Sequence, residues 1–319
     1  MALNADEVKS EAQRLGFIAC GISHLGPTLH ADFLDSWLAQ GRGGNMRYLH
    51  RQAKKRTNPA IIERGARVAV VVLDNYYSTD SASPPSHPPS PGQPKPRVAR
   101  YARGQDYHRV TLRRLGSLAD FLRYNGAKVA RPFVDSGPVP ERELAQRAGL
   151  GWIGKNTMLI RPAVGSFFFI GSVLTELQIT CDRPFETDHC GSCTRCLDAC
   201  PTGALTEPRA LDANRCISYL TIEHRGPIPD PLTPHLAGWA FGCDICNEVC
   251  PWNISFAEIS AVPEFAPRHD FDDDAGPRLF EEMDEGEFAD RFGDTPLERA
   301  GLLRMRRNWR AAWKSLPPA

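Results

Sequence analysis

The chain has 319 residues, of which 42% are hydrophobic and 24% are charged. These values are ordinary for a soluble globular protein, and the length leaves room for two domains with a substantial core. The formal net charge is zero, so no overall electrostatic field draws the chain to nucleic acid. The N-terminus lacks the basic and apolar regions of a signal peptide, and no apolar run reaches the ~18 residues that a membrane helix needs. We therefore expect a cytoplasmic protein without membrane contact.

The charges are distributed unevenly along the chain. Residues 42–67 contain eight Lys or Arg against one acid, and residues 95–131 contain ten against two. Both stretches are candidates for contact with a polyanion, although a basic helix face is more often simply solvated.

Hydrophobic periodicity predicts alternating helices and strands over the first half of the chain. Apolar residues spaced three or four positions apart predict amphipathic helices, and we place these at 5–16, 31–40, 108–125 and 141–148. Short apolar runs that end at turn residues predict strands, and we place these at 17–22, 67–73, 128–134 and 167–174. The second of these strands is apolar after its first residue, so we expect it to be buried on both faces.

These elements predict a mixed fold, α+β or α/β, with an α/β domain over residues 1–178. After residue 178 short turns and cysteines replace regular elements, which predicts a small ferredoxin-like module over residues 179–255. Residues 256–319 are acidic at first, and their Arg-rich end is predicted to be a closing helix with its basic residues outward. Within the first domain, residues 81–97 hold seven prolines and predict an extended, mobile loop.

Eight of the ten cysteines lie between Cys190 and Cys250, in two runs that each end in Cys-Pro. The first run has the spacing C-x2-C-x2-C-x3-C-P, which places three sulfurs on one 4Fe–4S cube and sends the fourth to a second cube. Thiolates are soft ligands that suit such clusters. The alternative is a pair of zinc sites, because four thiolates also bind zinc, but zinc ribbons are poorly served by this spacing.

The crossing of the fourth ligand assigns each cysteine to a cluster. The second run supplies only three cysteines, because Phe241-Gly242 precedes it, and Cys216 is the thiol available to complete its cube. Cys20, in a predicted strand, and Cys181 are expected to be structural. Cluster 1 is predicted to be held by Cys190, Cys193, Cys196 and Cys250. Cluster 2 is predicted to be held by Cys200, Cys216, Cys243 and Cys246.

Two neighbouring cubes conduct single electrons, so we expect the N-terminal domain to hold their acceptor. This domain has neither G-x-G-x-x-G after a strand nor G-x4-G-K-[ST], which argues against the common nucleotide-binding loops. The stretch Gly149–Asn156 combines glycines with Lys155. Such a turn can hold a phosphate or an amide through backbone N–H groups, and a plain turn is the alternative.

Five stretches together resemble the epoxyqueuosine reductases, the iron–sulfur and cobalamin enzymes of tRNA queuosine biosynthesis. They lie in order across both predicted domains, and the whole set is more specific than the cysteine pattern alone. The stretches are Tyr101–His108, Val134–Arg142, Ala148–Asn156, Cys216–His224 and Gly238–Asn253.

The resemblance implies a cobalamin-binding N-terminal domain, related to that of reductive dehalogenases, which receives electrons through both cubes. The reaction would remove the epoxide oxygen from epoxyqueuosine in the anticodon loop of a tRNA, giving queuosine. Asp135 matches the acid that protonates the departing oxygen; it ends a strand and enters a Gly-Pro turn, and a turn-stabilising role is the alternative. The implied cofactor contacts are Arg56, Tyr101, Lys155, Asn156, Glu223, His224 and Asp244.

The segment Asp106–Thr111 approaches D-x-H-x-x-G, the motif with which some proteins supply a histidine ligand to cobalt. Thr111 stands in place of the glycine, so we expect base-off cobalamin with no protein histidine on the cobalt. His108 can instead line the pocket, and Asp106 can begin a helix as its cap.

The leading prediction is a monomeric, cobalamin-dependent reductase that modifies tRNA and takes electrons from an unidentified low-potential donor. The basic stretches 42–67 and 95–131 would contact tRNA phosphates, and four tyrosines are candidates to stack on anticodon bases. One alternative is a dehalogenase-like corrinoid reductase for a small molecule, which the absence of an export signal disfavours. The other is a non-catalytic ferredoxin-type electron carrier, which the large N-terminal domain disfavours. The four tyrosines are Tyr76, Tyr77, Tyr107 and Tyr219.

Overall fold

The computed structural model describes residues 3–78, 95–268, 276 and 278–317. Residues 81–94 of the predicted proline-rich loop lie outside the described residues. The helices before residue 180 are α1 (Ala5–Arg14), α2 (Ala31–Ala39), α3 (Arg47–Arg51), α4 (Ala53–Thr57), α5 (Tyr107–Tyr124) and α6 (Glu141–Arg147). The strands there are β1 (Ala19–His24), β2 (Val68–Asn75), β3 (Arg97–Val98), β4 (Ala130–Val134), β5 (Trp152–Ile153), β6 (Leu159–Ile160) and β7 (Phe168–Thr175).

The second half of the chain has shorter elements. Its helices are α7 (Arg195–Asp198), α8 (Ile217–Ile222), α9 (Ile245–Glu248), α10 (Pro251–Phe256), α11 (Glu285–Phe292) and α12 (Gly301–Lys314). Its strands are β8 (Leu205–Glu207), β9 (Ala210–Leu211) and β10 (Trp239–Phe241). Every helix and strand predicted in the first half is present, with bounds within two residues of those expected.

A four-stranded sheet with the order β1-β2-β7-β4 forms the centre of the N-terminal domain. The inner strands β2 and β7 pair from Val68 opposite Thr175 to Asn75 opposite Phe168. All three pairings in this sheet are antiparallel. The mixed fold class is confirmed, and the helices between the strands serve an antiparallel sheet.

Helices cover both faces of this sheet, which explains why β2 is apolar from Val68 to Leu73. On one face, Val8 of α1 and Leu118 of α5 belong to the same buried core as Val70. On the other face, Leu144 of α6 shares a core with Val71. Successive side chains of a strand point to opposite faces, so an uninterrupted apolar run fits a strand that is covered twice.

The start of α5 resolves the role of the Asp106 segment. The Asp106 carboxylate accepts a hydrogen bond from the backbone N–H of His108 at 2.9 Å and lies 2.8 Å from His108 Nδ1. Asp106 is therefore the N-cap of α5, as the alternative reading held. Thr111 is buried and donates its hydroxyl to Asp74 Oδ2 at 2.8 Å, so this position serves the core.

The C-terminal segment packs on both of the preceding parts of the chain. Strand β10 pairs in parallel with β3, and Val98, Phe241 and Trp309 share one buried core. The predicted closing helix is confirmed as α12, but the prediction that its basic residues point outward is wrong for Arg304 and Arg307. Their guanidinium groups donate to the backbone carbonyls of residues 220–226, because the end of α8 presents unpaired carbonyls to them.

Three parts of the chain therefore share cores across the predicted boundaries at residues 178 and 255, and that division stays a prediction. Within the described ranges, no helix is both long and apolar enough to cross a lipid bilayer.

Candidate functional site

Asp135 lies immediately after β4, with its side chain exposed. Its φ of 46° is in the left-handed region, which a residue other than glycine rarely adopts without a local reason. The Tyr107 hydroxyl donates to Asp135 Oδ2 at 2.5 Å, and the Asp135 backbone N–H donates to Glu141 Oε1 at 2.7 Å. The predicted acid is thus held at both its side chain and its backbone.

Tyr107 is fixed by aromatic stacking. Its ring lies nearly parallel to that of Phe169, with the centroids 4.1 Å apart, and also stacks on His108. Burial and the nearby Asp135 carboxylate raise the pKa of Tyr107 well above its ordinary value. The phenol therefore remains protonated and stays a hydrogen-bond donor to Asp135 at physiological pH.

Glu141 is the first residue of α6 and faces Asp135 from the far side of the turn. Burial raises the pKa of Glu141, and the Asp135 carboxylate raises it further. Glu141 therefore keeps its proton to higher pH than an ordinary carboxyl group does.

Arg56 lies near Asp135 and Glu141. Its guanidinium lies 5.9 Å from the centre of the Tyr48 ring and within 3.4 Å of the Gly137 carbonyl oxygen. Burial lowers the pKa of Arg56. Within the described residues, Arg56 Nε and the Oδ1 atom of Asn58, two residues further along, are buried without a hydrogen-bond partner. A buried polar atom without a hydrogen-bond partner destabilises a protein unless a bound group supplies that hydrogen bond.

Tyr101 lies near charged residues of the cluster module and of the C-terminal segment. Burial raises the pKa of Tyr101, and the charges of Asp135 and Asp244 add to this effect. Glu223 forms an ion pair with Arg299 at 2.5 Å, and both also lie within electrostatic range of Tyr101. Asp135, Glu223 and Asp244 therefore lie within electrostatic range of Tyr101, and Asp135 also lies within that range of Arg56.

Asp244 is buried near Tyr101. Its Oδ2 accepts a hydrogen bond from the Arg100 backbone N–H at 2.7 Å, and burial raises the pKa of its carboxyl group. Because Asp244 lies between Cys243 and Cys246 in the chain, it connects the second cysteine run to the space near Tyr101.

Three predicted cofactor contacts have other neighbours. Lys155 Nζ donates to the backbone carbonyls of Gly191 and Cys193, at 2.6 and 3.0 Å. Asn156 is buried, and its side-chain amide donates to Asn247 Oδ1 at 3.3 Å. His224 contacts the Pro227 carbonyl through Nε2 at 3.0 Å. Lys155 and Asn156 thus fasten the strand-like turn after α6 to the two cysteine runs.

The thiols assigned to cluster 1 are neighbours in space. Burial raises the pKa of Cys250, and the Cys190 and Cys193 thiolates raise it further. The pKa of Cys196 is raised by burial and by Cys190 and Cys250. The Trp152 indole N–H points at Cys190 Sγ from 3.5 Å. Cys250, from the distant run, therefore lies near Cys190 and Cys193 of the first run.

The thiols assigned to cluster 2 are likewise close to one another. Burial raises the pKa of Cys246, with contributions from Cys216 and Cys200, and it also raises the pKa of Cys243. Burial opposes ionisation of Cys200, but hydrogen bonds from Thr202 and from backbone N–H groups outweigh it and lower the pKa. The backbone N–H of Ala204 is 3.3 Å from Cys200 Sγ. Hydrogen bonds to cluster sulfurs are one means of setting a reduction potential.

The four tyrosines proposed to stack on bases are buried, with 6–7% of each side chain exposed. Tyr76 packs on Phe169 with the ring centroids 4.5 Å apart, and the Tyr219 hydroxyl accepts a hydrogen bond from the Asn45 backbone N–H at 2.7 Å. The prediction of base stacking is therefore wrong for these rings in this conformation, because they form the core.

The two basic stretches also differ. Arg109, Arg113, Arg123 and other arginines of residues 95–131 form ion pairs within the chain. On α3 and α4, by contrast, Arg51, Lys54 and Lys55 are exposed. Tyr48 is part of α3 and Arg56 is part of α4. Because both residues lie within electrostatic range of Asp135, the exposed positive charge of these helices lies near Asp135.

The role of Asp135 stays a prediction, and the sequence alone does not indicate its partners. Tyr107 and Glu141 both lie in the stretches that carry the resemblance, but Tyr107 is predicted there to stack on RNA and Glu141 has no predicted role. Tyr48 and Arg299 had no sequence signal, since each is distant along the chain from Asp135.

Comparison with known proteins adds independent findings. A family model described as "4Fe-4S double cluster binding domain" matches residues 189–253. A second, described as "Epoxyqueuosine reductase QueG, DUF1730", matches residues 56–136. The first match confirms the prediction of two 4Fe–4S clusters in the cysteine module.

Curated relatives match nearly the whole chain. The epoxyqueuosine reductase of Pseudomonas aeruginosa is 40% identical over 311 residues, which are 95% of this chain and 83% of that protein. The epoxyqueuosine reductase of Xanthomonas campestris pv. campestris is 42% identical over 307 residues, covering 95% of this chain and 84% of that protein.

Solved structures agree. An epoxyqueuosine reductase from Bacillus subtilis, with its catalytic aspartate loop swung out of the active site, is 30% identical with a TM-score of 0.85 and covers 97% of this chain and 81% of that one. An epoxyqueuosine reductase with an epoxyqueuosine-modified tRNA-Tyr stem loop is 29% identical with a TM-score of 0.84, covering 97% and 80%. The non-catalytic electron carrier is thereby excluded, and the chain belongs to the epoxyqueuosine reductase family of oxidoreductases.

Proposed function

We propose that the enzyme reduces the epoxide of epoxyqueuosine in the anticodon loop of a tRNA, with electrons passing through both clusters to a base-off cobalamin. The epoxide takes up two electrons and two protons, both of its C–O bonds break, and an alkene and water are formed. The observation that carries the proposal is the position of Asp135, which is held by Tyr107 and Glu141 and lies, like Glu223 and Asp244, within electrostatic range of Tyr101.

In this proposal Asp135 gives one of the two protons to the departing oxygen. Tyr107 donates to Oδ2, so it stabilises the carboxylate that remains after the proton has left. Such a donor favours the transition state over the ground state, because charge develops where the donor already points. The Bacillus subtilis relative, whose catalytic aspartate loop leaves the active site, supports the assignment of this loop.

The residues around Asp135 fit a corrin that carries amide side chains. Arg56 Nε offers a buried donor and Asn58 Oδ1 a buried acceptor, and an amide can satisfy either one. We propose Arg56, Tyr101, Glu223 and Asp244 as contacts to the cofactor. When bound, cobalamin would supply a cobalt centre that accepts single electrons and delivers them to the epoxide.

The proposal of a cobalt without a protein histidine is supported by Thr111, which stands at the glycine position of D-x-H-x-x-G, is buried, and donates its hydroxyl to Asp74 in the core. Lys155, Asn156 and His224 stay proposed as cofactor residues, and the contacts of the first two favour a role in holding the cluster loops.

The positions of the cysteines support an order for electron transfer. Cys243 and Cys246 flank Asp244, which faces Tyr101, and the charge of Cys246 contributes to the raised pKa of Tyr76 after burial. Cluster 2 is therefore the one proposed to lie beside the cofactor, with Cys200, Cys216, Cys243 and Cys246 as its ligands. Cluster 1, held by Cys190, Cys193, Cys196 and Cys250, would accept electrons from a low-potential donor.

We propose that tRNA phosphates bind along α3 and α4. Arg51, Lys54 and Lys55 are exposed there and form no ion pair within the described residues. Phosphate contacts of this kind position a nucleic acid and make binding dependent on salt. The solved relative with a tRNA stem loop supports a tRNA substrate for this chain.

The experiment that tests the proposed function is anaerobic turnover of an epoxyqueuosine-containing anticodon stem loop by the wild type and by Asp135→Asn. The variant keeps the shape of the side chain and its acceptor for Tyr107 but has no acidic proton. We expect unchanged iron content and cobalamin binding with loss of queuosine formation. Near-normal turnover by Asp135→Asn would remove Asp135 from the mechanism, and turnover of a small halogenated compound in place of the stem loop would favour the dehalogenase-like alternative.

A further inference from the structure

The carboxylate of Glu141 is bound to the backbone of Asp135 and not to its side chain. Glu141 Oε1 accepts the Asp135 backbone N–H at 2.7 Å. That backbone has a φ of 46°, a conformation that an aspartate keeps only when its surroundings hold it. The hydrogen bond therefore acts at the point where the chain is strained.

Glu141 is well placed to hold this point because its own helix is anchored. It begins α6, whose Leu144 and Ala145 are buried against the sheet. The intervening turn packs closely, since a Cβ added at Gly137 would lie 2.7 Å from the Phe133 ring. Arg56 contacts the same turn from outside, through the Gly137 carbonyl at 3.4 Å. The turn from Asp135 to Glu141 is thus closed by a hydrogen bond between its two ends, and the helix that follows Asp135 is anchored in the core.

We infer that Glu141 is a positioning residue, which holds the Asp135 loop in its working position through the Asp135 backbone N–H. It acts on the reaction only through Asp135. The inference deepens the proposed function and rests on it, because it takes Asp135 as the proton donor.

Other titratable and charged groups surround Glu141 and Asp135. Burial raises the pKa of Glu141, and the Asp135 carboxylate raises it further. The remaining titratable or charged groups near these two carboxyl groups are Arg56, Arg142, Tyr48, Tyr101, Tyr107 and Arg299.

Two variants separate the hydrogen bond from the charge. Glu141→Gln keeps a carbonyl oxygen that can accept the Asp135 N–H, whereas Glu141→Ala removes the acceptor. A matched control is Glu143→Gln on the same helix, since the Glu143 carboxylate binds Thr28 and Arg147 instead. Each protein is tested as the reconstituted holoenzyme, with steady-state turnover of the modified stem loop measured across pH.

We expect Glu141→Ala to lose on the order of 10- to 100-fold in kcat, as a misplaced catalytic group does, with KM for the stem loop nearly unchanged. Glu141→Gln should recover most of that kcat, because its amide oxygen can still accept the Asp135 N–H. Glu143→Gln should retain the wild-type kcat and pH profile. Iron content and cobalamin binding should stay at wild-type levels in the two Gln variants.

A wild-type kcat in Glu141→Ala would overturn the inference. If Glu141→Ala fails to fold, Glu141→Met decides, because methionine fills a similar volume but offers no oxygen to the Asp135 N–H; a wild-type kcat in Glu141→Met would overturn the inference. Failure of the proposed function gives a different result, because Asp135→Asn would be active. An inactive Asp135→Asn together with a fully active Glu141→Ala would refute only the role of Glu141.

Discussion

Replacing Tyr107 by phenylalanine removes the hydroxyl that donates to Asp135 and leaves the ring in place. The ring is held by Phe169, with the centroids 4.1 Å apart and the planes 7° from parallel, so the variant should keep its stacking. The lost hydrogen bond spans 2.5 Å and strengthens as Asp135 becomes a carboxylate. The variant therefore tests whether a donor at this point contributes to proton transfer.

The size of the effect follows from the kind of bond and its exposure. Hydrogen bonds to charged groups contribute roughly 1.5–3 kcal/mol. Asp135 is exposed, and water can replace part of the lost donor, so we take the lower half of that range. About 1.5–2 kcal/mol in the transition state corresponds to a loss of roughly 10- to 30-fold in kcat.

The assay is single-turnover conversion of the modified stem loop under anaerobic conditions, with product formation followed by nucleoside mass spectrometry. Single turnover by enzyme that has been reduced beforehand removes product release and the electron donor's step from the measured rate. The binding of the stem loop should be unchanged, because the Tyr107 hydroxyl points at Asp135. A single-turnover rate constant within about two-fold of wild type would refute a role of Tyr107 in stabilising the developing carboxylate.

Three further changes test other parts of the account. Cys216→Ser should reduce the iron of the anaerobically reconstituted protein from roughly eight to roughly four atoms per chain, and full iron content would reassign the ligand. Lys55→Glu should weaken stem-loop binding and flatten its dependence on salt. The control Arg123→Glu should change binding less, because Arg123 is paired with Asp120 in the wild type. Equal effects of the two variants on binding would contradict the site on α4. Arg114→Met should lower the free energy of unfolding by about 3–5 kcal/mol, measured with urea, because it leaves the buried Asp74 carboxylate unpaired.

The strands and the cysteine module were predictable because their signals are local. The apolar run of β2 and the spacing of the first cysteine run each reflect a constraint within a few residues, namely burial on two faces and wrapping around a cube. Cys216 was proposed as the fourth ligand of cluster 2 because the second cysteine run supplies too few thiols. It lies within electrostatic range of Cys200 and Cys246.

The partners of Asp135 were not predictable, since they meet only after folding. Tyr107 begins one helix and Glu141 another, and the antiparallel pairing of β4 with β7 sets where the turn after β4 lies. Exposure also cannot be seen in a sequence. The four tyrosines assigned to RNA are buried, and two arginines of the closing helix donate to carbonyls of the cluster module.

The most direct test of the central claim is the cobalamin dependence of the reaction. Protein reconstituted with both clusters is given a chemical reductant and the epoxyqueuosine-modified stem loop, with and without cobalamin, and the nucleoside is analysed by mass spectrometry. The account predicts loss of one oxygen, giving queuosine, only when cobalamin is present. Equal conversion by cobalamin-free protein, or no conversion by protein that carries both clusters and cobalamin, would contradict it.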